Sequence, residues 1–237
     1  METVDEIIER VGPEAFVEAA QRAWAAAATL GYQHAPPSRP DEATRQRDWD
    51  TLYDAASAAM TLDGSGHARV VLAFEIYRRA PSYTVLSRID DVFWTSLPAD
   101  GRRAFWDEVR ALLSQQDDRL ARPVEYMLWC DVFEEPERVE AAWTELTDGD
   151  PPPRLLERVL PNTGPVPYAL KKPLYDRLLS DPGWHPLIYR SLLHSAFDVY
   201  GKVDVDQALS LLDHLDLPSH QMEHRGALLE RLRSRKD

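Results

Sequence analysis

Two histidines one helical turn apart, with a glutamate directly before the second, form an arrangement that zinc chemistry uses. His220, Glu223 and His224 give this H-x-x-E-H pattern. On a helix both imidazoles project from one face, so they could ligate one Zn²⁺ while Glu223 acted as a general base. Five of the seven histidines fall within the last 53 residues, namely His185, His194, His214, His220 and His224. This segment is therefore the first candidate for a metal site.

A complete zinc site is nevertheless not expected. The pattern resembles the metal motif of inverzincin peptidases, whose third ligand comes from well downstream, whereas only thirteen residues follow His224. Glu230 does not share the face of the two histidines, and their neighbours on that face are Leu228 and Arg231. Two imidazoles hold zinc weakly without a third ligand and supporting hydrogen bonds. We predict no metal ligands and no cofactor; a zinc site of another kind among the clustered histidines is the alternative.

Two pairs of adjacent aspartates are a second candidate for metal chemistry, Asp90-Asp91 and Asp117-Asp118. They resemble the aspartate-rich helices with which terpenoid synthases bind magnesium diphosphate. That motif needs a third acid at the fourth position after the first aspartate, where this chain has Trp94 and Ala121. We expect structural roles instead, with Asp118 at a helix start, where a carboxylate caps free amides.

The densest charge in the chain lies in residues 131–150, which hold eight acidic residues and one base. A helix is predicted over 136–147, with an inward apolar face formed by Val139, Ala142, Trp143 and Leu146. The glutamates must then crowd the outer face, where like charges one turn apart cost about 0.2–0.5 kcal/mol per pair. A merely solvated face is the alternative to a docking surface for a basic protein, formed by Glu134, Glu135, Glu137, Glu140 and Glu145.

The overall charge bears on which partners the chain can bind. A formal net charge of −13 opposes binding to nucleic acids and to anionic membranes, because both are themselves negative. No apolar stretch approaches the roughly 20 residues that span a bilayer. The N-terminus is acidic and amphipathic, unlike a secretory signal. We therefore expect a cytoplasmic protein with a protein partner, and contact with neither nucleic acid nor membrane.

A small-ligand pocket is the alternative functional hypothesis. The helix predicted over 122–133 and the segment 184–200 are apolar nearly all round, so both are expected to be buried between neighbouring helices. Cys130 is accordingly expected to be a buried packing thiol. An all-α enzyme or ligand binder would place its pocket between these helices, with a lining of Tyr126, Trp129, Tyr189 and His194.

The elements that position these residues are predicted to be helices. Leu (29 residues) and Ala (27) dominate the composition, whereas the β-branched Ile (5) and Thr (10) are scarce. Leucine and alanine favour helices, and β-branched residues favour strands. No segment alternates apolar and polar residues over the length of a strand. The sequence thus predicts an all-α fold of eleven to thirteen short helices with essentially no sheet.

A short motif recurs three times, as Asp91-Val92-Phe93, Asp131-Val132-Phe133 and Asp198-Val199-Tyr200. After each copy an apolar pair follows about a dozen residues downstream, as in a helical hairpin. The length of these hairpins resembles that of HEAT-like helical repeats, or α-solenoids, over residues 49–215. The copies are 40 and then 67 residues apart, so the array is expected to be irregular. The resemblance is architectural and implies no catalytic residues.

Proline-rich segments set the predicted domain organisation. We expect an N-terminal helical pair over 1–34, a Pro-rich linker or loop over 35–48, and the helical array over 49–237 with a break at 147–167. With the acidic surface, this organisation favours a non-enzymatic protein that mediates protein–protein interaction. One concrete form is an immunity-type inhibitor of a basic toxin or nuclease.

Overall fold

The fold is all-α, as predicted. The structure is a computed structural model that describes residues 2–29, 40–133, 135–160, 166–180, 205–214 and 222–234. These residues form twelve α-helices and one π-helical turn, and no strand occurs among them. None of the described helices is long and apolar enough to cross a membrane. Contacts divide the chain into two compact units, Met1–Leu128 and Trp129–Asp237.

The first unit contains seven helices: α1 (Val4–Val11), α2 (Pro13–Thr29), α3 (Glu42–Met60), α4 (Gly66–Arg79), α5 (Tyr83–Thr95), α6 (Ala99–Ser114) and α7 (Asp118–Met127). Most start at a residue whose side chain accepts a hydrogen bond from a free backbone N–H of the first turn. These N-caps are Thr3, Asp41, Ser65, Ser82 and Asp117. Short polar residues in the sequence thus fix where the helices begin.

Within the first unit, helices pack both against their neighbours in sequence and against second neighbours along the chain. α3 packs against α5, and α4 packs against α6, as expected when one helical hairpin stacks on the next. An aromatic cluster fills the interior: the ring centroids of Phe93 and Phe105 lie 4.2 Å apart, and Phe74 lies 5.9 Å from Phe105. α2 packs against both α3 and α7. An irregular HEAT-like array remains a prediction for the chain as a whole.

The start of α3 lies within the linker that was predicted over 35–48. Residues 42–48 belong to α3, because Asp41 caps this helix by accepting a hydrogen bond from the backbone N–H of Thr44 at 2.7 Å. The extra turn also places Asp48 against α2, where Nε and Nη2 of Arg22 donate to its two carboxylate oxygens, both at 2.7 Å. The linker prediction is therefore wrong for 42–48. The rest of the domain division remains a prediction.

The second unit contains five described helices: α8 (Pro136–Thr147), α9 (Pro153–Val159), α10 (Tyr168–Ser180), α11 (Val205–His214) and α12 (Met222–Arg233). α8 and α9 each begin with proline, whose fixed φ suits the first helical position. α8 packs against α10, and α11 packs against α12. The π-helical turn, Leu128–Val132, follows α7 directly. The segment predicted over 184–200 lies outside the described residues.

Candidate interaction surface and groove

α8 has one apolar and one acidic face. Its four predicted inward residues are buried, none exposing more than 5% of its surface: Val139, Ala142, Trp143 and Leu146. Glu137, Glu140 and Thr144 are exposed on the opposite side, and Asp148 is exposed just beyond the last turn. The helical period of 3.6 residues places these positions along one stripe. The sequence-based orientation of this helix is confirmed.

The predicted partner-binding residues do not all lie on that stripe. Glu135, Glu137 and Glu140 are exposed, Glu145 is half-buried at its side, and Glu134 lies outside the described residues. We use the term acidic face for the exposed carboxylates along α8, namely Glu135, Glu137, Glu140 and Asp148.

The charge of the chain is concentrated in the segment that carries the acidic face. Residues 131–150 hold eight acids and one base, a net charge of −7 out of −13 for the whole chain. The other 217 residues together carry only −6. About half of the net negative charge therefore belongs to about three helical turns and their flanks, and we expect the strongest negative potential there.

The position of α8 is fixed by its buried tryptophan. The indole N–H of Trp143 donates to the backbone carbonyl of Leu170 on α10 at 2.8 Å. The ring of Phe133 meets the same indole edge-on, with centroids 6.3 Å apart. These contacts hold the inner face of α8, so the acidic face is presented from a supported helix rather than from a loop.

A groove of about 440 Å³ lies between the end of α8 and the start of α10. Leu170, Pro173 and Leu174 form its apolar wall, and Trp143 and Thr147 lie on the other side. Arg177 also lines this groove, and its Nη1 donates to the backbone carbonyl of Gly149 at 2.6 Å. Sequence analysis missed Arg177. The only signal near it is Gly149, which follows α8 and adopts a φ of 70°, a conformation that favours glycine.

The burial of the helix predicted over 122–133 differs from the expectation, while the pocket itself remains a prediction. Tyr126 and Trp129 are each 45% exposed, and Cys130 is half-buried, so the expectation of a helix buried on all sides is wrong. Helical geometry explains the exposure, because Tyr126 and Trp129 lie on the opposite side from the buried residues Val124 and Met127. The ring of Tyr126 packs against Tyr83 instead, with centroids 5.3 Å apart. The other two predicted lining residues, Tyr189 and His194, lie outside the described residues.

The two imidazoles of the H-x-x-E-H pattern fall outside what the structure describes. His220 lies outside the described residues, as does the side chain of His224. Within the part of the chain that is described, no three His, Cys, Asp or Glu side chains come together as a set of metal ligands. The absence of bound zinc remains a prediction, and elemental analysis of tag-free protein is the measurement that tests it.

The paired aspartates have structural partners. The carboxylate of Asp90, only 3% exposed, accepts a hydrogen bond from the indole N–H of Trp94 at 2.8 Å. Asp117 rather than Asp118 is the N-cap of α7, and it also binds the guanidinium of Arg119. These hydrogen bonds from Arg119 hold the pKa of Asp117 below its usual value.

Comparison with known proteins identifies no relative. No protein-family model matches the chain, and searches of curated proteins and of solved structures give no match.

Proposed function

We propose that this protein is a non-enzymatic binding protein that docks a basic protein partner on the acidic face of α8. The observation that carries the proposal is the alignment of Glu137, Glu140 and Asp148 along one exposed stripe of a supported helix. From Glu137 to Asp148 this stripe extends for about 16 Å, at 1.5 Å per residue. That length matches three turns of a partner helix or a short basic loop.

The acidic face concentrates like charges on one helix. Like charges on a helix repel, so Glu137 and Glu140, three residues apart, destabilise α8 when no cation is near. A partner that brings lysines or arginines would relieve this repulsion and be attracted during approach. At physiological salt, where the screening length is about 8 Å, the attraction acts mainly at short range. The proposed complex should therefore be salt-sensitive.

The experiment that tests this proposal starts from partner capture. Immobilised wild-type protein is exposed to a lysate of the source cells, bound proteins are eluted with a salt gradient, and each candidate is purified. The dissociation constant is then measured with the purified candidate for wild type and for the double variant Glu137→Lys and Glu140→Lys. We expect the double variant to bind at least tenfold more weakly.

A matched control distinguishes the effect of the charges on α8 from the effect of the net charge of the whole protein. Asp54 on α3 and Glu75 on α4 are exposed acids of the first unit, and changing both to lysine alters the net charge by the same amount. This control should leave the affinity within about twofold of wild type. Equal weakening in the two double variants would mean that only net charge matters, and unchanged affinity in the α8 variant would contradict the proposal. If the partner is a toxin or nuclease, its inhibition by wild type would support the immunity-type form.

A further inference from the structure

The groove between α8 and α10 adjoins the acidic face. Thr144 and Asp148 lie on the exposed stripe of α8, and both also line the groove. Ala169 and Pro173 line it from α10 and are likewise exposed, so the groove is accessible from solvent. A partner that lies along the acidic face would therefore reach the groove without leaving the surface of α8.

The lining of the groove favours an uncharged, apolar occupant. Leu170, Pro173 and Leu174 form an apolar wall. Among the lining residues, only Asp148 and Arg177 carry charge, and their signs are opposite. An ion of either sign would meet one attractive and one repulsive charge, so the groove selects for neither. Burial of an apolar group against the wall is favourable without any such opposition.

The size and the position of the groove suit one large side chain. A cavity of roughly 150 Å³ is enough for a benzene molecule. The groove, at about 440 Å³, therefore accommodates a leucine or phenylalanine side chain. Thr144 and Thr147, which line the groove, follow Glu140 by one and two helical turns. A partner helix whose cations face Glu140 would reach the groove within two further turns.

We propose that this groove is the apolar anchor site of the docking surface. It takes one leucine or phenylalanine side chain of the basic partner, within two helical turns of the lysines or arginines that meet the acidic face. The inference rests on the proposed function and specifies the partner's binding motif. In protein interfaces a large side chain buried in a pocket carries much of the binding free energy, whereas charges at the rim mainly give specificity and faster association.

Two synthetic helical peptides test the anchor site on the full chain. Both are alanine-rich, fluorescently labelled and carry lysines on one face. They differ at one position within two turns of the lysines, which is phenylalanine in one peptide and alanine in the other. Fluorescence anisotropy gives both dissociation constants, and we expect the phenylalanine peptide to bind at least about tenfold more tightly. Equal affinities, or no binding of the phenylalanine peptide, would overturn the proposal.

A substitution that fills the groove locates this preference. Ala169 is exposed and lines the groove, so Ala169→Phe introduces a ring there without changing the charge. We expect this variant to bind both peptides as weakly as wild type binds the alanine peptide. The matched control Ala111→Phe, at an exposed alanine of α6, should keep the full preference for phenylalanine. Circular dichroism checks that both variants are folded. A preference that survives in folded Ala169→Phe would overturn the proposal.

Charge reversal on α8 distinguishes the anchor site from the proposed function. The double variant Glu137→Lys and Glu140→Lys should weaken the binding of both peptides by the same factor, because neither glutamate lines the groove. The ratio of the two affinities should then stay as in wild type. Weakened binding by charge reversal with equal affinities for the two peptides would refute the anchor site alone. A preserved preference for phenylalanine with no effect of charge reversal would refute the acidic face and leave the groove as the binding site.

Discussion

Gly66 and Gly101 meet where α4 crosses α6, and neither position has room for a side chain. A Cβ on Gly66 would lie 2.6 Å from Cγ of Pro98 and 3.0 Å from Cα of Gly101. A Cβ on Gly101 would lie 2.9 Å from the carbonyl carbon of Gly66. The two backbones can therefore approach as closely as they do only because both residues are glycine.

Substituting alanine at either glycine should destabilise the first unit. Gly66→Ala or Gly101→Ala forces backbone atoms apart, and overpacking of this kind costs about 1–3 kcal/mol. Gly226 is a matched control, because a Cβ there meets open space inside α12. Gly226→Ala should instead stabilise the helix by about 0.5–1 kcal/mol. Urea unfolding followed by circular dichroism measures all three; a neutral effect at both Gly66 and Gly101 would contradict the close approach.

The contribution of the contact between α4 and α6 to stability should depend on pH, because Asp100 takes part in this contact. Its carboxylate accepts a hydrogen bond from the backbone N–H of His67 at 3.1 Å, and this bond holds the pKa of Asp100 below its usual value. A lowered pKa in the folded state adds stability above the unfolded pKa of about 3.9 and loses it as the pH falls through the folded pKa.

Asp100→Asn should therefore lower stability at pH 7 and should flatten its fall in the acid range. Urea unfolding of wild type and variant between about pH 3 and pH 7 measures this difference. The difference between the two unfolding free energies should shrink as the pH falls below the unfolded pKa of about 3.9. A constant difference across the whole range would show that the carboxylate charge plays no part in holding the start of α4.

The helical periodicity of apolar residues made the buried face of α8 predictable. Residues 122–133 lack this periodicity, so their buried face could not be predicted. The apolar residues of α8 recur at helical spacing, so the sequence determines which side is buried and leaves Glu137 and Glu140 outside. In residues 122–133 apolar side chains occur at nearly every position, and the phase of the buried face cannot be read from them. The expected burial of Tyr126 and Trp129 was consequently wrong, although the helix itself was expected.

The groove was not predictable for a different reason. Among the described residues, Arg177 is fixed by the backbone carbonyl of Gly149, 28 residues earlier in the chain. Any residue type can supply a backbone acceptor, so no sequence pattern marks it, and the two sides of the groove come from helices whose packing the sequence does not specify. An isolated arginine on α10 is indistinguishable, by sequence alone, from a solvated one.

Neutralising the acidic face should raise stability while it weakens partner binding. Glu140→Gln removes the repulsion with Glu137, three residues away on the exposed side of α8, and should stabilise the protein by about 0.2–0.5 kcal/mol at low salt. The gain should shrink at high salt, because screening already weakens the repulsion. Thermal unfolding at two salt concentrations measures this. Reduced stability in Glu140→Gln would mean that the Glu140 carboxylate stabilises the folded protein. That result would count against the proposal that the acidic face is acidic because it binds a partner.

A hydrogen bond from Tyr77 joins the core of the first unit to α7. Its hydroxyl donates to the backbone carbonyl of Leu120 at 2.5 Å, and burial raises the pKa of Tyr77, so the phenol remains a donor at all ordinary pH values. Tyr77→Phe keeps the ring packing but leaves the carbonyl of Leu120 without this donor, which should cost about 1–3 kcal/mol. Tyr53→Phe is the control, because it preserves the ring stacked on Trp49, and should stay within about 0.5 kcal/mol of wild type. Urea unfolding of the two variants, followed by tryptophan fluorescence, should separate them; equal stabilities would show that the Tyr77 hydroxyl contributes nothing to the docking of α7.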